Sequence, residues 1–251
     1  MSLDENEFCG SIYGEIQRQG ICSNYVSFSH KALEKRLGEL PENARILEVG
    51  GNLGEHCKFV QHKYQEYLLT DKREVDFAPI NGKIKFEQAD VEALHYDDAS
   101  FDRILSTCLL HHLVDPEQGL LEMKRVVRPG GLISLTLPCD PGFLYRVGKV
   151  VGPYRRLRKN FGVSDPRYLH YIQHRNHFPA LESIISQVFK NDNIRYRTYP
   201  FSLPFWNVNL FRIYQILRGF FRICGSDGSV STAVAQVGPE LWPPRLLPPP
   251  K

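Results

Sequence analysis

The sequence reads Leu47-Glu48-Val49-Gly50-Gly51-Asn52-Leu53-Gly54 where a short apolar run ends and a helical period begins. The run 45–49 has the length and composition of a buried strand, and the apolar spacing from about Glu55 to Tyr64 predicts a helix. Glycines between a strand and a helix permit a tight turn and let backbone N–H groups approach a ligand closely. The G-x-G-x-x-G pattern of dinucleotide-binding folds cannot begin at Gly50, because Asn52 and Glu55 stand where it needs glycine. The turn therefore predicts a ligand site that is not of the nicotinamide or flavin kind.

Short apolar runs alternate with helical periods from Arg45 to Pro138, which is the pattern of βαβ units in a parallel sheet. A helix is predicted from Asp115-Pro116-Glu117, which supplies a cap and an acid in the first turn, to Arg128-Pro129-Gly130-Gly131. Another helix begins near Pro179. Further strands are predicted at Tyr67–Thr70, Lys83–Gln88, Phe101–Ser106, Leu132–Leu137, Ile194–Thr198 and Ser231–Val237. The predicted fold class is α/β, with a doubly wound, mostly parallel sheet of seven strands and helices on both faces.

Length and composition limit the classes of protein to which the chain can belong. Its 251 residues, 42% of them hydrophobic, suffice for one large α/β domain, and a net charge of +3 does not favour nucleic acid as a partner. No apolar run reaches the roughly 20 residues of a membrane-spanning helix, and the acidic start is unlike a secretory signal. We therefore expect a cytoplasmic protein. The six cysteines form no C-x-x-C pair, which favours reduced thiols over a disulfide framework or a zinc site.

The chain divides into three predicted parts. Residues 1–43 are an N-terminal cap with a lead-in helix, 44–237 form the α/β domain, and the proline-rich residues 238–251 form an extended tail. Two segments interrupt the domain: 145–178 is basic and aromatic, and 204–224 is apolar. Both are interpreted as insertions on the substrate side of the sheet.

Four motifs together resemble the class I S-adenosylmethionine-dependent methyltransferases. The first motif of that family is E/D-x-G-x-G-x-G, which here begins at Glu48 and has Asn52, a residue that tolerates positive φ, in place of the middle glycine. The others are Asp71 after the second strand, Asp90-Val91 after the third, and Leu109-Leu110-His111-His112-Leu113 after the fourth. The last is similar to the small-molecule branch (methyltransferase type 11-like), which includes quinone-ring C-methyltransferases and sugar O-methyltransferases. The resemblance covers Ala44 to Pro138.

The resemblance implies a Rossmann-like methyltransferase fold and S-adenosyl-L-methionine as the cofactor. The family's acid at the position of Asp71 holds the ribose hydroxyls, since a carboxylate accepts both hydrogen bonds of a diol, and Asp90-Val91 matches the adenine contact. The alternatives are a solvated strand-end acid for Asp71 and a loop acid for Asp90. The cofactor-binding residues predicted in this way are Glu48, Gly50, Gly51, Asn52, Gly54, Asp71, Asp90, Val91 and Ser106.

Two adjacent histidines are the candidate catalytic residues. Methyl transfer from a sulfonium is a direct displacement, so a base is needed only if the acceptor is a hydroxyl or an acidic carbon. His111 and His112 follow the fourth strand, and a neutral imidazole accepts a proton near neutral pH. The alternative is that one histidine hydrogen-bonds the cofactor or backbone and the other packs.

The segment 145–178 carries eight basic residues and four tyrosines, with Asp165 as its single acid. It is interpreted either as a lid that grips a phosphorylated or carboxylated acceptor or as a solvated surface. His170, His174 and His177 lie in it, but no nearby cysteine or acid in the sequence completes a ligand set, so no metal is assigned.

Three classes of function remain open on these grounds. The favoured class is methyl transfer to a small, acidic or phosphate-linked molecule, with O-methylation of a sugar or lipid-linked sugar ahead of quinone-type C-methylation. The second is a cofactor-binding protein without catalysis. The third is a basic module that contacts RNA or membrane, although the balance of charge makes nucleic acid an unexpected partner.

The stretch 207–224 is predicted to be an amphipathic helix with arginines along its polar side. Such a helix either lies in a lipid interface, which would bring the protein to the inner membrane surface, or packs on its own domain. Both interpretations stay open. The apolar residues that recur at steps of three and four are Leu210, Phe211, Tyr214, Leu217, Phe220 and Phe221.

Overall fold

The computed structural model describes residues 20–35, 37–75, 77 and 83–219. The strands of this part are β1 (Arg45–Val49), β2 (Glu66–Asp71), β3 (Ile84–Gln88), β4 (Phe101–Thr107), β5 (Val127–Pro138), β6 (Asn193–Tyr199) and β7 (Phe211–Leu217). The α-helices are α1 (Gly20–Leu33), α2 (Pro116–Val126), α3 (Phe143–Lys149), α4 (Arg155–Phe161), α5 (Pro166–Gln173) and α6 (Phe178–Val188). A π-helical turn joins α3 to α4 at Val150–Tyr154, and 3-10 turns occupy Cys57–Phe59, Leu110–His112 and Trp206–Val208.

The strands form one sheet in the order β3-β2-β1-β4-β5-β7-β6. β1 to β5 run parallel, and β7 lies antiparallel between β5 and β6. The chain order reverses between β1 and β4, and ligands of open α/β sheets bind beyond the carboxyl ends of the strands at such a point. The predicted doubly wound, mostly parallel sheet of seven strands is confirmed.

Alternate residues of β1 face opposite sides of the sheet. Leu47 and Val49 belong to a core that α2 and α6 complete, whereas Ile46 belongs to a second core to which α1 contributes Ala32 and Leu33. Helices thus cover both faces, as the continuous apolar runs of parallel strands require.

The helix after Asp115 begins as its sequence signals indicate. The Asp115 carboxylate accepts a hydrogen bond from the Gln118 N–H at 2.9 Å, and Pro116 occupies the first position of α2. The end differs slightly from the prediction, because α2 stops at Val126 and β5 begins at the next residue. The predicted stop signal, 128–131, therefore lies in the first part of β5.

The helix predicted from Glu55 to Tyr64 is wrong. After Gly54 the chain makes the 3-10 turn Cys57–Phe59 and then reaches β2 without further helix. The reason is that α1 covers this face of the sheet. The rings of His56 and Phe59 pack against His30 of α1. Tertiary packing of this kind overrides the weak helical preference of a ten-residue segment.

The amphipathic helix predicted over 207–224 is also wrong for residues 207–219, the part that the structure describes. Residues Phe211–Leu217 form β7 inside the sheet, where Ile213 pairs with Thr136 of β5 and with Arg197 of β6. Residues 211–214 are all buried, so apolar side chains point to both faces and no polar alternation marks the strand. Periodicity alone cannot distinguish such a buried strand from a helix. The insertion predicted at 204–224 is reduced to a short connection with one 3-10 turn, followed by β7.

Several predictions fall on other parts of the chain. The segment 145–178 is helical in the structure, and α1 lies within the predicted lead-in segment 1–43. The strand predicted at Ser231–Val237 and the tail 238–251 lie outside the described residues, and so do Phe220 and Phe221. None of the described helices is long and apolar enough to cross a membrane.

Candidate functional site

The glycine turn after β1 is held in a conformation that favours its residue types. Gly50, Asn52 and Gly54 have φ of +64°, +50° and +72°, the left-handed region that glycine and asparagine tolerate best. A Cβ on Gly51 would lie 2.1 Å from Leu69 Cδ1, and one on Gly50 would lie 2.5 Å from Leu109 Cδ1. The turn therefore brings bare backbone close to its neighbours, as a cradle for a ligand requires.

Asp71 ends β2 beside this turn. Its Oδ2 accepts a hydrogen bond from the Asn52 N–H at 3.1 Å, so the second strand and the glycine turn meet at the carboxyl edge of the sheet. Its Oδ1 accepts hydrogen bonds from the backbone N–H and the Nε of Arg73, at 3.0 and 3.1 Å. A ribose diol bound to this carboxylate would take the place of the Arg73 guanidinium.

Asp90 and Val91 follow β3 at the same edge. Asp90 is half-buried, accepts a hydrogen bond from the Glu92 N–H at 3.0 Å and pairs with Lys72 Nζ at 2.7 Å. Burial acts to raise the pKa of Asp90, but these two contacts outweigh it and the pKa is lowered. The Val91 side chain is buried in the core. Asp90 thus offers a carboxylate at the edge of the site, whereas Val91 can offer only its backbone.

Glu48 faces inward rather than toward the edge of the sheet. It is 1% exposed, and its Oε2 accepts a hydrogen bond from the Tyr67 hydroxyl at 2.5 Å. Its Oε1 has no hydrogen-bond partner among the described residues, and burial raises its pKa. Because a Cβ on Gly51 would lie 2.9 Å from Glu48 Cδ, the carboxyl group packs directly beneath the glycine turn.

Two buried hydroxyls mark the neighbouring strands. Ser106 of β4 is 1% exposed and Thr136 of β5 is 2% exposed, and neither side-chain oxygen has a hydrogen-bond partner within the described part of the chain. Buried hydroxyls are normally paired, so unpaired ones point to a ligand or a water. Ser106 therefore stays in the candidate site, and Thr136 is a residue that the sequence did not indicate.

His111 and His112 lie on the 3-10 turn after β4. His111 is 3% exposed, and its Nδ1 has no partner among the described residues. His112 Nδ1 lies 2.9 Å from the Gln173 carbonyl, which can only accept, so this nitrogen donates. Burial, reinforced by neighbouring imidazoles, holds the pKa of His111 well below its usual value. Burial also lowers the pKa of His112 to about 4. Both rings are therefore neutral at neutral pH.

The segment 145–178 covers this turn. The Asn176 N–H donates to the His111 carbonyl at 3.1 Å, and Asn176 Nδ2 donates to the Leu113 carbonyl at 2.8 Å. The basic side chains on its outer side are exposed, namely Arg146, Arg155, Arg158, Lys159, Arg167 and Arg175. The inner side of the segment thus contacts the turn that carries the histidines, and its outer side is a basic surface. The interpretation as a lid that grips an acceptor stays a prediction.

A carboxylate completes a cluster that the sequence did not indicate. Asp140 follows β5, and its Oδ2 lies 2.9 Å from His170 Nε2 and 2.8 Å from His174 Nδ1. Burial acts to raise the pKa of Asp140, but these two hydrogen bonds outweigh it and the pKa is lowered. The expectation that no acid accompanies these histidines is therefore wrong, because the acid is distant in sequence and adjacent in space. Two signals could have found it: the histidines are four residues apart, at the end of α5 and just after it, and Asp140 leaves the same sheet edge. His177 is exposed.

Comparison with known proteins identifies the domain. Residues 41–135 match the sequence profile of a family described as "Methyltransferase domain". Over these residues the chain is similar to the class I methyltransferases. This family implies S-adenosylmethionine as the methyl donor. The left-handed glycine turn, the two glycines without room for a Cβ and the unpaired buried Ser106 fit such a nucleoside-containing cofactor. The assignment of individual residues to it stays a prediction.

Two curated relatives align with part of this chain. The demethylmenaquinone methyltransferase of Desulfitobacterium hafniense (strain Y51) is 33% identical over 101 residues, 39% of this chain and 40% of the relative. The ubiquinone/menaquinone biosynthesis C-methyltransferase UbiE of Hahella chejuensis (strain KCTC 2396) is 32% identical over 102 residues, 39% of this chain and 32% of the relative. The aligned parts thus span two-fifths or less of these relatives.

A solved structure extends the likeness beyond the matched domain. A possible histamine N-methyltransferase from Thermotoga maritima superposes with a TM-score of 0.59 at 17% sequence identity, covering 85% of this chain and 99% of that one. At this identity the likeness shows the fold. It indicates that the helices after β5 and the strands β6 and β7 belong to the methyltransferase fold as well.

Proposed function

We propose that this protein is an S-adenosylmethionine-dependent methyltransferase that acts on a small molecule. The observation that carries the proposal is the contact between the left-handed glycine turn and the carboxylate that ends β2, from the Asn52 N–H to Asp71 Oδ2. It supports a nucleoside site at the switch point of the sheet. The alternative of a protein that binds the cofactor without catalysis remains the second candidate.

Different residues of this chain are proposed to contact different parts of the cofactor. Asp71 is proposed to accept the ribose hydroxyls and Asp90 to contact the adenine, with Val91 contributing backbone. The Gly50–Gly54 turn would approach the cofactor closely, Ser106 would supply a hydroxyl, and Glu48 would support the turn from beneath. When bound, S-adenosylmethionine supplies an electrophilic methyl group, so the protein needs to align the acceptor and exclude water. The lid formed by 145–178 suits that exclusion.

The proton chemistry depends on how the two histidines are held. His112 donates its Nδ1 hydrogen to the Gln173 carbonyl, so its Nε2 carries the lone pair that could accept a proton. A pKa of about 4 makes this imidazole a weak base for an alcohol and a better match for an acidic acceptor. His111, buried and with Nδ1 unpaired, is the second candidate base.

The acceptor favoured by these observations is a quinol-type ring, methylated at carbon. The two curated relatives are named for menaquinone and ubiquinone/menaquinone biosynthesis, and one is named a C-methyltransferase. An electron-rich phenol is more acidic than a sugar hydroxyl, which agrees with the weak bases in the site. This acceptor class therefore replaces the sugar or lipid-linked sugar as the preferred proposal. The exposed arginines of the lid, which favoured a phosphate-linked acceptor, are no longer the basis for choosing the acceptor.

Binding of S-adenosylhomocysteine tests the proposal. Calorimetry on the wild type should give one site per chain, and Asp71→Ala should weaken binding about tenfold or more, because hydrogen bonds to a charged group contribute roughly 1.5–3 kcal/mol. The exposed Asp97 provides the control, and Asp97→Ala should bind like the wild type. A wild type that does not bind, or an Asp71→Ala variant that binds equally well, would contradict the proposed site.

The same proteins then separate catalysis from binding alone. Incubation with methyl-labelled S-adenosylmethionine and a demethylated quinol should place the label on a ring carbon, and Asp71→Ala should reduce the rate in parallel with its affinity. Tight binding of S-adenosylhomocysteine without transfer to a quinol, a sugar phosphate or a simple phenol would favour the non-catalytic alternative. Label on oxygen would contradict carbon methylation.

A further inference from the structure

Four histidines and one carboxylate pack together where the turn after β4 meets the segment 145–178. His111, His170 and His174 are 3%, 8% and 5% exposed, and Asp140 is 3% exposed. The His174 ring lies 3.9 Å from that of His170 and 4.2 Å from that of His111, and the His111 and His112 rings lie 4.0 Å apart, between centroids. Packing alone does not require four imidazoles, whose polar nitrogens are costly to bury without partners.

The hydrogen bonds of the cluster leave ring nitrogens whose lone pairs are free. His174 Nδ1 is 2.8 Å from an Asp140 oxygen and His112 Nδ1 is 2.9 Å from the Gln173 carbonyl. A carboxylate and a carbonyl only accept, so both Nδ1 atoms donate, and both Nε2 atoms carry a lone pair. His111 Nδ1 is buried without any partner among the described residues.

We propose that His111, His112 and His174 bind a divalent metal ion of the zinc type, with Asp140 orienting His174 from outside the coordination sphere. One ligand nitrogen from each of the three residues lies within 4.8 Å of the others. Zinc–nitrogen bonds of about 2.0–2.1 Å place tetrahedral ligands roughly 3.3 Å apart, which small ring rotations would reach. Ligating histidines typically donate their other N–H to a carboxylate or a backbone carbonyl, and His174 and His112 do so here.

A second trio, Asp140, His170 and His174, fits a metal less well. The Asp140 oxygen lies 2.9 and 2.8 Å from the two imidazole nitrogens, which are hydrogen-bond distances with a proton between each pair. An ion shared by all three would have to replace both protons and push these atoms apart. His170 therefore acts with Asp140 outside the coordination sphere, where the two fix the His174 ring.

The site lies next to the glycine turn, because Leu109 of the same loop packs on Gly50. Three protein ligands leave one coordination position for water or substrate, as in catalytic zinc sites. With the ion bound, His111 and His112 would act as ligands rather than as bases, and the open position would suit an oxygen atom of the methyl acceptor. That role rests on the proposed function, whereas the binding of the ion does not.

Metal binding by the full chain tests the inference. After treatment with a chelator, the protein should take up one Zn²⁺ per chain by calorimetry and elemental analysis, and Co²⁺ should give the visible absorption of a tetrahedral site. Replacement of a ligand in His174→Ala should weaken Zn²⁺ binding by about 100-fold or more, and Asp140→Asn by about 10–100-fold. The matched control is His177→Ala, which removes an exposed histidine of the same segment and should leave binding unchanged.

Thermal melting and S-adenosylhomocysteine affinity distinguish the possible causes of a loss. In His174→Ala the melting transition should stay cooperative, although at a lower temperature because a buried side chain is lost, and the affinity for S-adenosylhomocysteine should stay near the wild-type value. Lost metal binding could then not be attributed to unfolding or to failure of the cofactor site. If that variant does not fold, His112→Gln serves as the second ligand variant. A wild type that binds no Zn²⁺ at micromolar concentration, or ligand variants that bind it as the wild type does, would overturn the inference.

Discussion

Asn52 lies in the left-handed region of backbone conformation, with φ of +50°, where most residues with a Cβ are strained. Its side chain compensates in part, because Nδ2 donates to Glu55 Oε1 at 3.1 Å and Oδ1 accepts from Arg73 at 3.2 Å. Asparagine therefore replaces the family's glycine here at low cost and links the turn to Asp71 through Arg73. The side chain thus adds a connection that a glycine could not make.

Substitution of Asn52 separates backbone strain from side-chain contacts. Asn52→Ala should lower the free energy of unfolding by about 1–2 kcal/mol, because it keeps the left-handed strain and loses both hydrogen bonds. Asn52→Gly removes the strain and should be about 1 kcal/mol more stable than Asn52→Ala. Urea denaturation measures both. Equal stability of the alanine and glycine variants would show that the turn is not strained in the folded protein.

At the scale of elements, the N-terminal cap of α2 can be predicted from its local sequence. Asp115 is exposed, and its carboxylate satisfies a backbone N–H that has no partner inside the helix. By contrast, β7 has no local signal that separates it from a helix, because its residues are buried on both faces. A helix or strand is therefore predictable where the sequence contains a capping residue or a polar face. It is not predictable where both of its faces are buried.

The cap of α2 should have a measurable contribution to stability. Asp115→Ala should lower the free energy of unfolding by about 1 kcal/mol, within the range of roughly 0.5–2 kcal/mol found for lost N-caps. Asp115→Asn keeps a side-chain oxygen acceptor and is the matched control, expected to stay near the wild type. Denaturant titration of the three proteins checks this. A loss of the same size in both variants would mean that the negative charge, rather than the hydrogen bond, stabilises the helix.

At the scale of the whole molecule, a buried polar network fastens α1 and the residue after it to the sheet. Arg103 of β4 is fully buried and donates to both oxygens of Glu34, at 3.1 and 2.7 Å. Burial acts to raise the pKa of Glu34, but the hydrogen bond from His56 and the charge of Arg103 outweigh it and lower the pKa to about 2. Beside this pair, His30 Nδ1 lies 2.8 Å from His56 Nδ1, and burial lowers the pKa of His30 to about 3.

This network predicts loss of stability in mild acid. The folded protein keeps His30 neutral down to about pH 3, while the unfolded chain takes up a proton below about pH 6.5, so the stability due to His30 falls as the pH falls from 6.5 toward 3. Between pH 7.5 and 5.5 this single group should remove about 1.4 kcal/mol. The decrease measured by urea denaturation should be smaller by that amount in His30→Gln. An identical decrease in both proteins would mean that His30 titrates normally when folded.

The sequence by itself determined the parallel half of the fold, and it supplied the residues that are proposed for the cofactor. Glycine, asparagine and strand-end acids act locally: a positive φ, a tight turn or a carboxylate after a buried run is readable without knowing the neighbours. The glycine turn and Asp71 are accordingly found together in the structure. The cap of α2 was predicted for the same reason, because a capping residue acts on the first turn of its own helix.

Only the tertiary structure decided what depends on partners distant in the chain. The turn Cys57–Phe59 replaces a helix because α1 covers it, and Phe211–Leu217 is a strand because β5 and β6 flank it. Asp140 joins His170 and His174, which are 30 and 34 residues further along the chain, because the end of β5 meets the C-terminal end of α5. Burial and pairing of this kind arise from long-range contacts, whose free energy outweighs local preferences that are each worth less than about 1 kcal/mol.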